Sequence, residues 1–401
     1  AGTPFADFNE FSSKIDKAGV GAMELLAMDM KARGMFVSRM LAFTGCSFEV
    51  RQCKLDEESR RQYDGAVAFW DRLLAGLEQC LKWTEREQSN MMRLYWGAHQ
   101  SFFKQLLNSI KARFAIREAE EALRIGHCVV IGLLSTGEAK ANEAADRAKA
   151  IGLELDSEVS TPHEIARDML EKHLPVSRLG AGGVDGEEVP EARGERELLF
   201  KMLEQLRMPA NALDLVISYF GVDRVAEMTG RKSRFVPDAA GGSRWEPRAT
   251  GGVAHEQVNI HEKNLFLSGQ KPIAIISDAA SAGISLHADE RFQNTKPRLH
   301  VTVELAWSAD KMLQQFGRTH RSNQRQPPHY VLLVTDVGGE HRFASSVARR
   351  LEMLGAITRG DRRGGHAASA ELVQFNVDTP LGHAALALML DAASHKGEKA
   401  A

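Results

Sequence analysis

The chain has 401 residues, a formal net charge of −2, 43% hydrophobic and 26% charged residues. This composition suits a soluble globular protein with material for a sizeable core, in one large domain or two ordinary ones. It excludes a polymer binder that works by bulk positive charge, and no apolar run approaches the roughly 20 residues of a membrane-spanning helix.

The N-terminus, Ala1-Gly2-Thr3-Pro4-Phe5, has none of the regions of a signal peptide and no Met, which leaves open a processed chain or a fragment. Residues 1–125 read as mainly helical, because Ser59–Trp83 and Met91–Leu123 repeat apolar residues every three or four positions. The methionines Met23, Met28, Met30, Met35 and Met40 read as core filler rather than a cofactor box. Cys46, Cys53, Cys80 and Cys128 form no CxxC pair and have no histidine at zinc spacing, which favours a reduced compartment. His127–Leu134 (HCVVIGLL) is a β-branched run. Pro272–Ser277, Leu299–Leu305 and Tyr330–Thr335 are similar. Apolar strands separated by helices predict a parallel sheet covered on both faces. Residues 126–178 and 256–365 are assigned to that sheet domain. Between them, 179–255 reads as an insertion: Leu179–Arg193 is Gly- and Glu-rich and expected to be disordered, Glu195–Tyr219 is helical, and Gly241-Gly242 and Gly251-Gly252 flank a flexible stretch. Residues 366–401 form a tail with one amphipathic helix within Glu371–Ser394.

Three blocks carry chemistry. Gln314 to Arg321 has the form QxxGRxxR inside Trp307–Gln324. Spacings of three and four would place Gln314, Arg318 and Arg321 on one helical face. A guanidinium fork stays charged and matches phosphate oxygens, so two of them suit a developing phosphoryl charge. The alternative is an amphipathic helix with surface arginines. Upstream, Ser277–Asp289 follows a strand; Gly283 with its small neighbours would let backbone approach phosphate, and Ser277 and Ser281 could donate to a nucleic-acid backbone. After the first strand, Gly132-xxxx-Gly137-Glu138 imitates a P-loop, but an acid in place of lysine rejects it as a triphosphate site. Ser135, Thr136 and Gly137 remain candidates for polymer phosphate, with a plain helix cap as the alternative. Lys311–Arg363 holds 10 Lys/Arg against 4 Asp/Glu, a basic face or a set of solvated arginines. An anion site of a metabolic enzyme at Arg318 and Arg321, with His320 as acid–base, is the weakest reading.

Together the blocks resemble motifs IV, V and VI of superfamily 2 helicases, and Trp307–Gln324 resembles the Swi/Snf branch. A closer resemblance, to the Strawberry notch family, covers nearly the whole chain. It rests on GTPF at Gly2, GVGAMELLAMDMKARGM at Gly19, WGAHQSFFK at Trp96, CVVIGLLSTGEA at Cys128, VAEMTGRK at Val225, SDAASAGISLHAD at Ser277, WSADKMLQQFGRTHRSNQ at Trp307, GEHRFASSVARRLEMLGAITRGDRR at Gly339 and FNVDTPLG at Phe375. The resemblance implies an α/β fold: a RecA-like second helicase lobe with a helical N-terminal region and a C-terminal helix. It implies a start just after the first lobe, with a charged family insertion near Leu179–Arg193 that is short here. It also implies a nucleic-acid-dependent ATPase acting in nuclear transcription or chromatin regulation. Arg318, Arg321 and Gln314 would be catalytic, and Gly283, Ser285 and Gly317 would contact nucleotide. ATP and Mg would be held mainly by a first RecA-like lobe in the same or another chain, and DNA or RNA would be the polymer. No G-x-x-x-x-G-K-[ST] occurs in the 401 residues, so activity of this chain alone is not expected. A catalytically inactive scaffold is the alternative.

Overall fold

The computed structural model describes residues 7–18, 20–35, 45–150, 159–179, 185–237, 243–249, 257–277, 283–306, 308–359 and 380–398. In chain order the elements begin with α1 (Phe8–Ala18), α2 (Val20–Ala32), β1 (Ser47–Cys53), α3 (Glu57–Thr84), α4 (Gln88–Arg124) and β2 (Cys128–Gly132). Next come α5 (Glu138–Ala150), α6 (Thr161–Asp168, continued by a π-turn over Met169–His173), β3 (Ser177–Leu179), β4 (Asp185–Glu188), α7 (Pro190–Gln205) and α8 (Ala212–Phe220). Then follow β5 (Val225–Met228), β6 (Ser233–Pro237), β7 (Ser243–Pro247), α9 (Val258–Ser268), β8 (Ile273–Ile276), β9 (Arg298–Thr302), α10 (Ala309–Phe316), β10 (His329–Thr335), α11 (Gly338–Arg359) and α12 (Pro380–Glu398).

The chain forms two compact units, each built from separated stretches. The first comprises residues 1–52, 122–134 and 281–401. Here the sheet runs in the order β1-β10-β9-β2. Strand β9 is parallel to both β10, with Val301 opposite Val331, and β2, with Val301 opposite Ile131. Every residue of β2 and β9 is buried, as the apolar runs require of a parallel sheet. Phe48, Phe316 and Tyr330 form the aromatic centre of the core. The Phe48 and Tyr330 rings stack at 4.5 Å, and the Phe316 and Tyr330 centroids lie 4.7 Å apart. Helix α2 packs on α11.

The second unit comprises 53–121 and 135–280. Helix α3 starts at Asp56, whose carboxylate accepts the Ser59 amide at 2.8 Å, and ends at Glu85 in the left-handed region. Ala66, Phe69, Trp70, Leu73, Leu77, Cys80 and Leu81 make its buried stripe, and the helix packs on α7. Trp70 is enclosed by Tyr95 and Phe102, with ring centroids at 5.4 and 5.3 Å, and the Tyr95 hydroxyl donates to the Trp70 carbonyl. Strands β5 and β8 are parallel, with Glu227 opposite Ile275.

Six strands make the main sheets of this α/β fold, four in the first unit and two in the second, and four were anticipated. Strand β1 falls in the stretch read as helical, and β5 in the stretch read as an insertion. Asp185–Glu188, read as disordered, pairs antiparallel with β3, and Pro190 opens α7. The helix read over Glu195–Tyr219 is two helices, α7 and α8, broken where Pro209 interrupts the backbone ladder. Met28 and Met35 are 52% and 70% exposed, not core filler; Met40 lies outside the described residues. Both glycine pairs, Gly241-Gly242 and Gly251-Gly252, are also outside them.

Candidate functional site

The two arginines do not ride on a helix. Helix α10 ends at Phe316, with Gly317 as its cap, and Arg318–His320 form the turn that follows. The turn is seated on the core of the first unit. Phe316 and Thr319 are fully buried, and the Tyr330 hydroxyl donates to the Phe316 carbonyl at 2.8 Å, satisfying an acceptor that the helix end leaves open. Thr319 Oγ1 donates to the same carbonyl at 3.2 Å and lies 2.8 Å from His300 Nδ1. Complete burial pushes the His300 imidazole down to about 3, so it is neutral at physiological pH. With Thr319 anchored inward, Arg318 and Arg321 lie half-buried on either side of it. Gln314 is exposed on α10, and Gly317 is buried.

The same turn is bound to the loop after Gly283, whose φ of +77° favours glycine. Leu286 N donates to the Arg318 carbonyl at 2.7 Å, and Arg318 Nη1 donates to the Ile284 carbonyl at 3.4 Å. Arg321 Nε donates to the Gly317 carbonyl at 3.1 Å. The Arg321 amide donates to Gln324 Oε1, which fixes the Gln324 amide orientation. Gln324 Nε2 then donates to His320 Nδ1 at 2.8 Å, so the imidazole proton sits on Nε2. His320 is buried, with Cys46 Sγ 3.3 Å from the same nitrogen. It is a packing histidine, which removes the acid–base reading. The structure thus ties Arg318 to the loop after Gly283, and it corrects the expected helical face, since the helix ends before either arginine. Ser281 and Trp307 lie outside the described residues, as do Arg362 and Arg363.

The remaining predicted residues belong to the second unit. Ser135, Thr136 and Gly137 lead into α5, and each is half-buried. Gln105 Nε2 donates to Ser135 Oγ at 2.7 Å, and Asn211 Nδ2 donates to the Thr136 carbonyl at 3.0 Å. The turn does not form a phosphate cradle of the P-loop kind. Glu138 accepts the Lys232 amide at 2.6 Å, and Asn211 and Thr161 close over Gly137. Ser277 corrects another expectation: it is 1% exposed, so its hydroxyl has no face for a polymer phosphate.

Sequence reasoning also missed a buried ionic cluster in the second unit. Arg231 Nη1 reaches Asp214 Oδ1 at 2.5 Å and its Nε reaches Glu227 Oε1 at 2.6 Å. Thr229 donates to Glu227 at 2.5 Å, and Arg248 Nη1 donates to the Arg231 carbonyl at 2.7 Å. Burial alone would raise the Glu227 carboxyl, but Arg231 and Arg248 hold it below the usual carboxylate range. The VAEMTGRK word at Val225 supplies Glu227, Thr229 and Arg231 to this cluster; an acid in the middle of a short apolar strand was its signal. Among the described residues no His, Cys, Asp or Glu group is arranged to hold a metal ion. Nor does any described helix have the length and apolarity to cross a membrane.

Residues 211–400 match the family model described as the C-terminal domain on Strawberry notch homologue. Residues 1–65 match the model described as P-loop containing NTP hydrolase pore-1. Strawberry notch homolog 1 of Rattus norvegicus is 37% identical, covering 97% of this chain and 37% of its own length. FORGETTER 1 of Arabidopsis thaliana is 34% identical over 97% of this chain and 40% of its own, and strawberry notch homolog 2 of Mus musculus 37% identical over 97% and 35%. The chain thus spans about two fifths of the length of the curated relatives it matches. The alignment with the rat protein runs over 471 positions, so that relative carries residues absent from this chain of 401. The solved C-terminal part of the Fun30 ATPase domain superposes with a TM-score of 0.32 at 12% identity, over 78% of this chain and 90% of that one. With relatives that match it nearly end to end and the family's C-terminal domain over residues 211–400, the chain belongs to the Strawberry notch family.

Proposed function

We propose that the chain is the second lobe of a nucleic-acid-dependent ATPase acting in nuclear transcription or chromatin regulation, and that Arg318 and Arg321 complete a nucleotide site on a P-loop-bearing lobe. The carrying observation is the turn after α10: two guanidinium groups flank a fully buried threonine, on a segment tied to the sheet core and to the loop after Gly283. Such a seat holds charge in place before reaction, which is what electrostatic stabilisation of phosphoryl transfer needs. ATP and Mg would be held mainly by the P-loop lobe, since the turn over 135–138 carries an acid and is closed by Asn211. Gly283, Ser285 and Gly317 would present backbone to the nucleotide, and exposed Gln314 would reach it from α10. Ser135 and Thr136 would face DNA or RNA phosphates.

The test is polymer-stimulated ATPase of the two-lobe protein carrying Arg321→Ala. Loss of about 10³-fold in kcat is expected, the usual contribution of an arginine finger. A rate within a few-fold of the parent would sink the reading. A second reading, a non-enzymatic scaffold, requires the parent two-lobe protein itself to be without polymer-stimulated turnover.

A further inference from the structure

Two stretches, Ile284–Arg291 and Gly317–Arg325, are joined at both ends. At one end Leu286 N bonds the Arg318 carbonyl at 2.7 Å and Arg318 Nη1 bonds the Ile284 carbonyl. At the other, Arg325 N donates to the Ala288 carbonyl at 2.8 Å and Glu290 N to the Asn323 carbonyl at 3.2 Å. Between these backbone straps sits Asp289, 1% exposed. Its Oδ1 accepts the Asn323 Nδ2 at 2.9 Å and the Arg291 amide at 3.0 Å; its Oδ2 accepts Arg291 Nη2 at 2.6 Å. His287 Nε2 lies 3.3 Å from the same oxygen. Asn323 has φ +65°, a left-handed conformation that asparagine tolerates better than most residues but does not adopt without cause. Beneath the loop, buried Arg298 donates to the carbonyls of Leu286 at 3.0 Å, Lys296 at 2.7 Å and Asn294 at 2.8 Å, fixing its far side.

We infer that Asp289 and Asn323 are positioning residues: they lock the arginine turn to the loop after Gly283, so that the two move as one body and Arg318 and Arg321 follow that loop. The buried carboxylate holds Asn323 in its left-handed conformation. That conformation closes the turn so that the 288–290 and 323–325 backbones can pair. The functional side of this inference rests on the arginine-finger reading above; the mechanical side does not.

Two arms keep these apart. In the chain itself, hydrogen exchange is followed at the amides of Leu286, Glu290 and Arg325, with Asn323→Gly and Asp289→Asn compared with the parent. Asn323→Gly keeps the positive φ accessible and removes only the side-chain bond. Exchange about fivefold faster or more at all three amides, in both stretches together, is expected from loss of one such bond. A change confined to Glu290 and Arg325, with Leu286 unmoved, overturns the coupling. In the two-lobe protein, Asn323→Gly should lower kcat by about 10²-fold, the cost of misplacing a catalytic group by about 1 Å, while KM for ATP stays within twofold. Unchanged kcat alongside a strong Arg321→Ala defect overturns the positioning role and leaves the arginine fingers standing. Unchanged kcat in both variants overturns the arginine-finger reading and the positioning role with it.

Discussion

Gly137 sits at φ +68°, and a Cβ at that position would collide with Asn211 Nδ2 and Thr161 Oγ1. Neither neighbour can move freely. Asn211 caps α8 by accepting the Leu213 amide at 2.8 Å while donating to Thr136 and Thr161. Gly137→Ala therefore combines backbone strain with a steric clash, and a cost of about 2–4 kcal/mol is expected in urea unfolding. A cost below about 0.5 kcal/mol would show that the Asn211 bridge is not holding this turn. The sequence showed the glycine and the acid after it, and so ruled out a P-loop. It could not show what occupies the space, because Asn211 lies 74 residues away in the chain. For the same reason the sequence exposed Arg318 and Arg321 but not the Asp289–Asn323 pair that braces them.

Among the elements, strands were legible where apolar side chains dominate the run, even where, as in β9, Arg298 and His300 are buried with them. The runs at β2, β8, β9 and β10 were found; β1 and β5 were not. Strand β1 carries Glu49, Arg51 and Gln52 on a half-exposed pattern, and β5 is four residues long with Glu227 at its centre. A carboxylate can occupy a buried strand only with its charge matched, and Arg231 and Arg248 arrive from outside the strand to match it. Arg231→Met should leave Glu227 and Asp214 facing each other without their shared cation. A loss of about 3–5 kcal/mol is expected by chemical denaturation, partly recovered by adding Glu227→Gln. A single-variant loss under about 1 kcal/mol would contradict the cluster's part in stability. Helices α3 and α4 were legible to within a few residues, since their apolar repeats run for many turns. Helix α10 was overextended because QxxGRxxR fits a helix face by spacing, whereas Gly317 ends the helix before either arginine.

At the scale of the whole molecule, five histidines among the described residues are held below their ordinary range by burial: His99, His127, His163, His287 and His300. The unfolded chain takes up protons on them as pH falls through about 6.5, while the folded chain resists, His300 until about 3. Folded-state values below unfolded ones mean stability that is full above about pH 6.5 and declines on acidification. Melting temperature should therefore drop steadily between pH 7 and pH 4.5, where most carboxylates are still ionised. A flat profile over that interval would refute the burial of these rings. Substituting His300→Asn should flatten part of the slope.

Residues 1–52, 122–134 and 281–401 make one unit, and the register of its sheet sets Val129 beside Leu299. A ribosome delivers the first of these partners about 170 residues before the second. At ordinary translation speeds that is a wait of roughly 10 to 30 seconds with one edge of the nascent strand open. Synthesis in cells should therefore lean on chaperones that shield extended apolar segments, and neither unit can be obtained by expressing one uninterrupted piece of the gene.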